Sequence, residues 1–182
     1  CVRQSPDPVV EFERELNPAV YQAAWRYACW LSKQSADSED LLQEALVNAL
    51  RGFHRLKDKT RFKQWLLRIV RNTHLMQQRK RRSGVAAVTS QIDAPEVLVD
   101  VSSETTTNPL PHELALALGQ LAKPQRELIA LHYFEDLNLK EIAEVLGISP
   151  NAALQRLHRA RSALRNETKK NLQQASQRLT IE

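Results

Sequence analysis

The stretch Leu139-Lys-Glu-Ile-Ala-Glu-Val-Leu-Gly-Ile-Ser-Pro-Asn-Ala-Ala-Leu-Gln-Arg-Leu-His158 decides how the chain is read. Ile142, Ala143 and Leu146 fall on the inner face of one predicted helix, and Gly147 ends it. Ile148 then plugs the corner. Ser149 can cap the next helix through its hydroxyl, and Pro150 at the first helical position gives up no hydrogen bond the helix needs. A restart within three to four residues is the spacing of a helix-turn-helix. In the second helix Ala153, Leu157, Ala160 and Leu164 turn inward, which leaves Asn151, Ala152, Gln155, Arg156 and Arg159 outward near its start. Arginine bonds guanine with two donors, asparagine and glutamine pair with adenine, and a small alanine lets a thymine methyl approach. The plainer alternative is an αα-hairpin with a solvated basic face. Capping, turn length and outer-face chemistry coincide here, which favours a DNA reader.

Working outward, the pattern is helical throughout, with apolar residues three and four apart and only 4 glycines in 182 residues. In the N-terminal part Val20, Ala24, Tyr27, Ala28 and Leu31 form one stripe. Leu42, Ala45, Leu46, Ala49, Leu50 and Phe53 form a second, and Phe62, Trp65, Leu66, Ile69 and Val70 a third. The predicted fold class is therefore all-α: two small helical domains joined by a flexible linker, with the helix-turn-helix in the second. Boundaries fall at 1–82, 83–111 and 112–182. The linker is rich in Ser, Thr and Pro and lacks an amphipathic period. As a relaxed coil it spans ~30 Å, close to one turn of duplex DNA. The C-terminal helix resumes at His112, Pro124 marks the start of another, and the polar, glutamine-rich end from Glu167 onward is expected to fray.

Charge is distributed unevenly. Residues 38–82 hold 12 basic and 4 acidic side chains, whereas 83–111 hold no Lys or Arg and 4 acids. The segment from Arg61 to Arg82 combines a core stripe, aromatic residues at its start and a terminal Arg79-Lys80-Arg81-Arg82 cluster. Phosphates are its natural counter-charge, and an aromatic ring beside a basic groove can stack an unpaired base. Two readings of Trp65 stay open, a core residue or a base platform. The helix before it starts Asp37-Ser-Glu-Asp, with Asp37 placed to cap and acids where they favour the helix dipole. Burying Leu42, Ala45 and Leu46 leaves Asp40, Gln43, Glu44, Val47, Asn48 and Arg51 as a mixed exposed face, either a solvated surface or a dock for a protein.

Other classes find little support. The chain carries no Gly-rich phosphate loop and no Ser/His/Asp set, and its 5 histidines lack ligand spacing, so neither an enzyme nor a metal or other cofactor is expected. His132 and His158 read as surface or packing residues. Cys1 and Cys29 are the only cysteines, which suits a reduced cytoplasmic protein, and no apolar run is long enough to span a bilayer.

The order of parts resembles the extracytoplasmic-function (ECF) sigma factors. The motifs are DLLQEALVNALR at 40–51, FKQWLLRIVRN at 62–72 ending in RKRR at 79–82, then a linker, LAKPQRELIALHYFEDLNLKEIAEVLGIS at 121–149 and QRLHRAR at 155–161. The resemblance covers residues 17–82 and 112–166. It implies a non-catalytic protein that directs core RNA polymerase to promoters and helps open them. Asp40, Gln43, Glu44, Val47, Asn48 and Arg51 would bind core polymerase. Arg61, Lys63, Trp65, Arg68, Arg71, Asn72, Arg79, Lys80, Arg81 and Arg82 would meet the minus-ten element, and Ser149, Asn151, Ala152, Gln155, Arg156 and Arg159 the minus-thirty-five element. It also implies an anti-sigma factor as a partner. Two positions depart from the family's habit: Met76 stands where an Asp is frequent, and Asn151-Ala-Ala-Leu154 where Gly-Thr-Val-Lys is common, so promoter sequence does not carry over. Alternatives from other classes are a helix-turn-helix regulator acting without polymerase and a sigma mimic that titrates an anti-sigma factor. Against the first, no zipper or second apolar face for dimerisation is evident; against the second, Arg156, Arg159 and the RKRR cluster are retained.

Overall fold

The computed structural model describes residues 7–32, 35–84 and 112–179, all of whose regular elements are helical. The predicted linker falls outside the described residues from position 85 to 111, as does Cys1. Four helices build the N-terminal unit: α1 (Pro8–Glu15), α2 (Pro18–Leu31), α3 (Ser35–Gly52) and α4 (Phe62–Gly84). The first two start by the same local chemistry. Asp7 Oδ1 accepts from the Val9 amide at 2.9 Å and Asn17 Oδ1 from the Val20 amide at 3.0 Å, each with a proline next in the chain.

Helices α2, α3 and α4 pack on one another in all three pairings. Small residues at the interface, Ala23, Ala24, Ala28, Ala45 and Ala49, are fully buried and let the backbones approach, while Tyr27, Leu41, Leu42, Leu66, Leu67 and Val70 fill the space between. The predicted stripes hold at Ala24, Tyr27, Ala28, Leu31, Leu42, Ala45, Ala49, Phe53, Phe62, Leu66 and Val70. They differ at Leu50, which is exposed, and they omit Leu41 and Leu67, which are buried because each middle helix is covered by two neighbours. Asp37 does not cap α3. The helix begins at Ser35, so Asp37 lies within its first turn.

One end of this unit is closed by aromatic rings. Phe12 of α1 stands edge-on to Phe53 and Phe62, with centroids at 5.3 and 5.5 Å, and Phe53 and Phe62 meet at 5.8 Å. Lys59, in the short turn between α3 and α4, lies 3.4 Å over the Phe53 ring and 4.0 Å from Glu11. Edge-to-face pairs of this kind add about 0.5–1.5 kcal/mol each beyond the area they bury.

The C-terminal unit contains α5 (His112–Gln120), α6 (Lys123–Tyr133), α7 (Leu139–Leu146) and α8 (Pro150–Leu179), with α5 and α6 both packed along α8. Its buried residues include Ala117, Leu128, Leu131, Ile142, Ala153, Leu157 and Ala160. Beyond Glu167, where fraying is expected, α8 is helical as far as Leu179. Contacts sustain the extra turns: Thr168 Oγ1 donates to the Leu164 carbonyl at 2.9 Å, Lys170 pairs with Glu167 at 2.8 Å, and Asn171 is buried.

Truncation of the central ring, Phe53→Ala, is expected to destabilise the N-terminal unit by about 3–5 kcal/mol, read as a lower urea midpoint in equilibrium unfolding of the full chain.

Candidate nucleic-acid interface

The helix-turn-helix is built by backbone chemistry at three successive corners. Before α7, Asn138 Oδ1 accepts from the amides of Lys140 and Glu141 at 3.0 and 3.1 Å, while Glu141 Oε2 accepts from the Asn138 amide at 2.8 Å. This reciprocal capping box was written in the sequence as Asn-x-x-Glu and is not among the predicted signals. After α7, Gly147 takes a left-handed φ of +66° and the Ile148 amide donates back to the Ala143 carbonyl at 2.9 Å. That closes the helix end and reverses the chain. Ser149 Oγ then accepts from the Ala152 amide at 3.2 Å, and Pro150 opens α8.

Along α8, Asn151, Gln155 and Arg159 are exposed at successive i, i+4 positions and share one side of the helix, with Ala152 and Arg156 half-buried beside them. Ser149 is exposed, and its oxygen is engaged in the cap, so it retains its O–H for a ligand. Leu154 is 53% exposed on the flank. Further along, Arg161 donates from Nε to the Tyr133 hydroxyl at 2.9 Å and lies 3.3 Å from His132 Nε2. His132 Nδ1 faces the Leu137 carbonyl at 3.0 Å. A carbonyl only accepts and a guanidinium only donates, so this arrangement suits Nδ1 as the donor and Nε2 as the acceptor. His132 is a packing residue that ties α6 to α8, as its sequence context suggested. An open apolar groove next to it is lined by Leu114, Tyr133 and Leu164 and rimmed by Arg161, Arg165 and Lys169.

In the N-terminal unit the predicted residues separate onto two helices that pack together. Asp40, Gln43, Glu44, Val47, Asn48 and Arg51 are all exposed on α3. Arg61, in the turn just before α4, is exposed, as are Arg68, Asn72, Arg79, Lys80, Arg81 and Arg82 on α4, and Lys63, Trp65 and Arg71 are half-buried. The Trp65 ring sits 5.8 Å from Phe62 and 6.4 Å from Phe53, so part of the indole belongs to the aromatic cluster.

The two faces are joined by polar contacts that single-helix patterns do not reveal. Glu44 Oε2 accepts from Gln77 Nε2 at 2.7 Å, Asn48 Nδ2 donates to Thr73 Oγ1 at 3.5 Å, and Arg81 bonds both carboxylate oxygens of Asp37. The Asp37 hydrogen bond and charge push the Arg81 pKa up. Gln77 and Thr73 are functional candidates missed from sequence; their only signal is polar character on the α4 side that turns toward α3. Behind α3, burial pushes the Cys29 thiol up. Among the described residues, no group of three or more His, Cys, Asp or Glu side chains is placed to hold a metal, and no helix is long and apolar enough to cross a membrane.

Known proteins show the same two parts in the same order. Residues 14–84 match the family model for Sigma-70 region 2, and residues 112–164 match that for Sigma-70, region 4. The chain is 32% identical over 143 residues to the ECF RNA polymerase sigma factor SigL of Mycobacterium tuberculosis, which covers 78% of this chain and 80% of that protein. It is 32% identical over 159 residues to the RNA polymerase sigma-E factor of Streptomyces avermitilis, covering 87% and 86%. The solved structure of the sigma factor RpoE in complex with the anti-sigma factor NepR from Bartonella quintana is similar with a TM-score of 0.68 at 26% identity, over 87% of this chain and 97% of that one.

The corner at Gly147 has open space around its missing side chain, so substitution there acts through backbone conformation alone. Gly147→Ala is expected to destabilise the C-terminal unit by about 1–2 kcal/mol, and Gly147→Asn by less, because asparagine tolerates the left-handed region; thermal unfolding of the two variants checks the order.

Proposed function

The chain belongs to the ECF class of RNA polymerase sigma factors, and we propose that its two helical units divide promoter recognition between them. As a sigma factor it binds core RNA polymerase, directs it to promoters and promotes their opening. The observation that carries the division of labour is the pairing of a mixed acidic and apolar face on α3 with a basic face on α4, followed by a capped, groove-sized α8. Asp40, Gln43, Glu44, Val47, Asn48 and Arg51 take core polymerase. Exposed Val47 and Leu50 among acids and amides give that face the composition of a protein interface.

Arg61, Lys63, Trp65, Arg68, Arg71, Asn72 and the cluster Arg79 to Arg82 take the minus-ten element and its separated strand. Ser149, Asn151, Ala152, Gln155, Arg156 and Arg159 take the minus-thirty-five element. The working division is 1–82 for polymerase and the minus-ten element, 83–111 as the connection, and 112–182 for the minus-thirty-five element. An anti-sigma factor controls the protein in this reading, which the likeness to RpoE in its complex with NepR supports. The relatives are transcription regulators, and we read this chain likewise as non-catalytic and cytoplasmic.

Run-off transcription from a promoter library tests the assignment, using purified core polymerase alone, with the chain, and with the Asp40→Ala, Glu44→Ala variant. Specific initiation is expected only with the wild-type chain and core together, with the double variant reduced at least several-fold. Tight binding of duplex DNA by the chain alone, without redirected initiation, would replace this reading by that of an independent regulator, and no activity in either assay by that of a mimic.

A further inference from the structure

Four basic residues close the described basic run of α4, and among the described residues Arg81 alone of these four has an ion pair. Its Nη1 and Nη2 donate to different oxygens of Asp37, at 3.3 and 3.1 Å. A guanidinium takes two oxygens of a phosphodiester with this same two-pronged geometry. Both side chains stand in solvent, with 67% of Arg81 and 36% of Asp37 exposed, so the pair is readily exchanged. Asp37 also has a second favourable partner, since it lies in the first turn of α3 where the helix dipole is positive. It therefore loses little when Arg81 leaves.

The geometry points to Asp37 as a positioning residue that stands in for a backbone phosphate, holding Arg81 at the rim between α3 and α4 until nucleic acid displaces it. The inference rests on the reading of α4 as a DNA-facing helix. Arg81 then contributes to binding only the difference between a phosphate and Asp37, whereas Arg79, Lys80 and Arg82 contribute without such an offset. It follows that removing an acid from the polymerase side of the domain strengthens binding on its DNA side, and does so through one side chain.

Fluorescence anisotropy of the full chain with a short labelled duplex of mixed sequence, titrated at several salt concentrations, tests this. Asp37→Asn is expected to tighten binding about two- to five-fold, the range of an exposed ion pair. Glu39→Gln removes the same charge from a neighbouring residue that pairs with Gln43 instead, and is expected to do clearly less. Arg81→Ala should lower the slope of log affinity against log salt by about 0.9, and in its background Asp37→Asn should do no more than Glu39→Gln. A second substitution, Asp37→Ser, and thermal melts of every variant separate these effects from misfolding.

Equal effects of Asp37→Asn and Glu39→Gln, an Asp37 effect that persists without Arg81, weaker binding in Asp37→Asn, or no binding at low salt would each overturn the inference. The transcription assay is independent of it. A chain that shows the coupling but never redirects polymerase removes the sigma assignment and leaves the pair standing.

Discussion

Close approach of α3 and α4 is the constraint from which the N-terminal unit's chemistry follows. Buried alanines on α2 and α3 let the helices approach, large apolar side chains such as Tyr27, Leu41 and Leu66 fill what space remains, and the acids and amides of α3 and the bases of α4 are left on the exposed faces. Two surfaces of opposite character thus lie one helix diameter apart, roughly 10 Å. That distance is comparable to the Debye length of about 8 Å under physiological salt, so charges on the two faces are only partly screened from each other. Neither surface is electrostatically independent of the other, and the contacts Asp37–Arg81, Glu44–Gln77 and Asn48–Thr73 make the connection direct.

The two units use different means to fix geometry. The N-terminal one depends on volume: rings at one end and alanines along the seam. The C-terminal one depends on local backbone chemistry, with a capping box at Asn138, a left-handed glycine at 147 and a serine cap at 149 within a dozen residues. These short-range hydrogen bonds fix the angle between α7 and α8 without calling on a large core.

That difference explains what could be read without coordinates. The Gly147-Ile148-Ser149-Pro150 corner was legible because every interaction that makes it lies within a few residues in the chain. The inner faces of α2, α3 and α4 were legible from spacing, though Leu41 and Leu67 were not, because periodicity marks one face and a middle helix buries two. Asp37 looked like a cap on local grounds; its bond to Arg81 spans the antiparallel pair, and nothing in either helix alone registers it. The same holds for Gln77 and Thr73. The polar end of α8 carries no apolar period to read, and it includes a buried Asn171 and a Thr168 hydrogen-bonded to the Leu164 carbonyl. Of the positions where the resemblance leads one to expect another residue, Met76 and Leu154 are more than half exposed, whereas Ala153 in the same stretch is buried.

Every core contact of α1 to α4 described above is made within residues 8–84, and this bears on biogenesis. A small helical domain with contacts of short sequence separation folds in microseconds to milliseconds, whereas a ribosome adds roughly 5–20 residues per second. Polymerisation of residues 85–182 therefore takes on the order of 5–20 s. During that interval the nascent chain already presents the finished α3 face, while α8 is still being synthesised or threaded through the exit tunnel. The packed unit of α1 to α4 is complete on the ribosome before α8 exists.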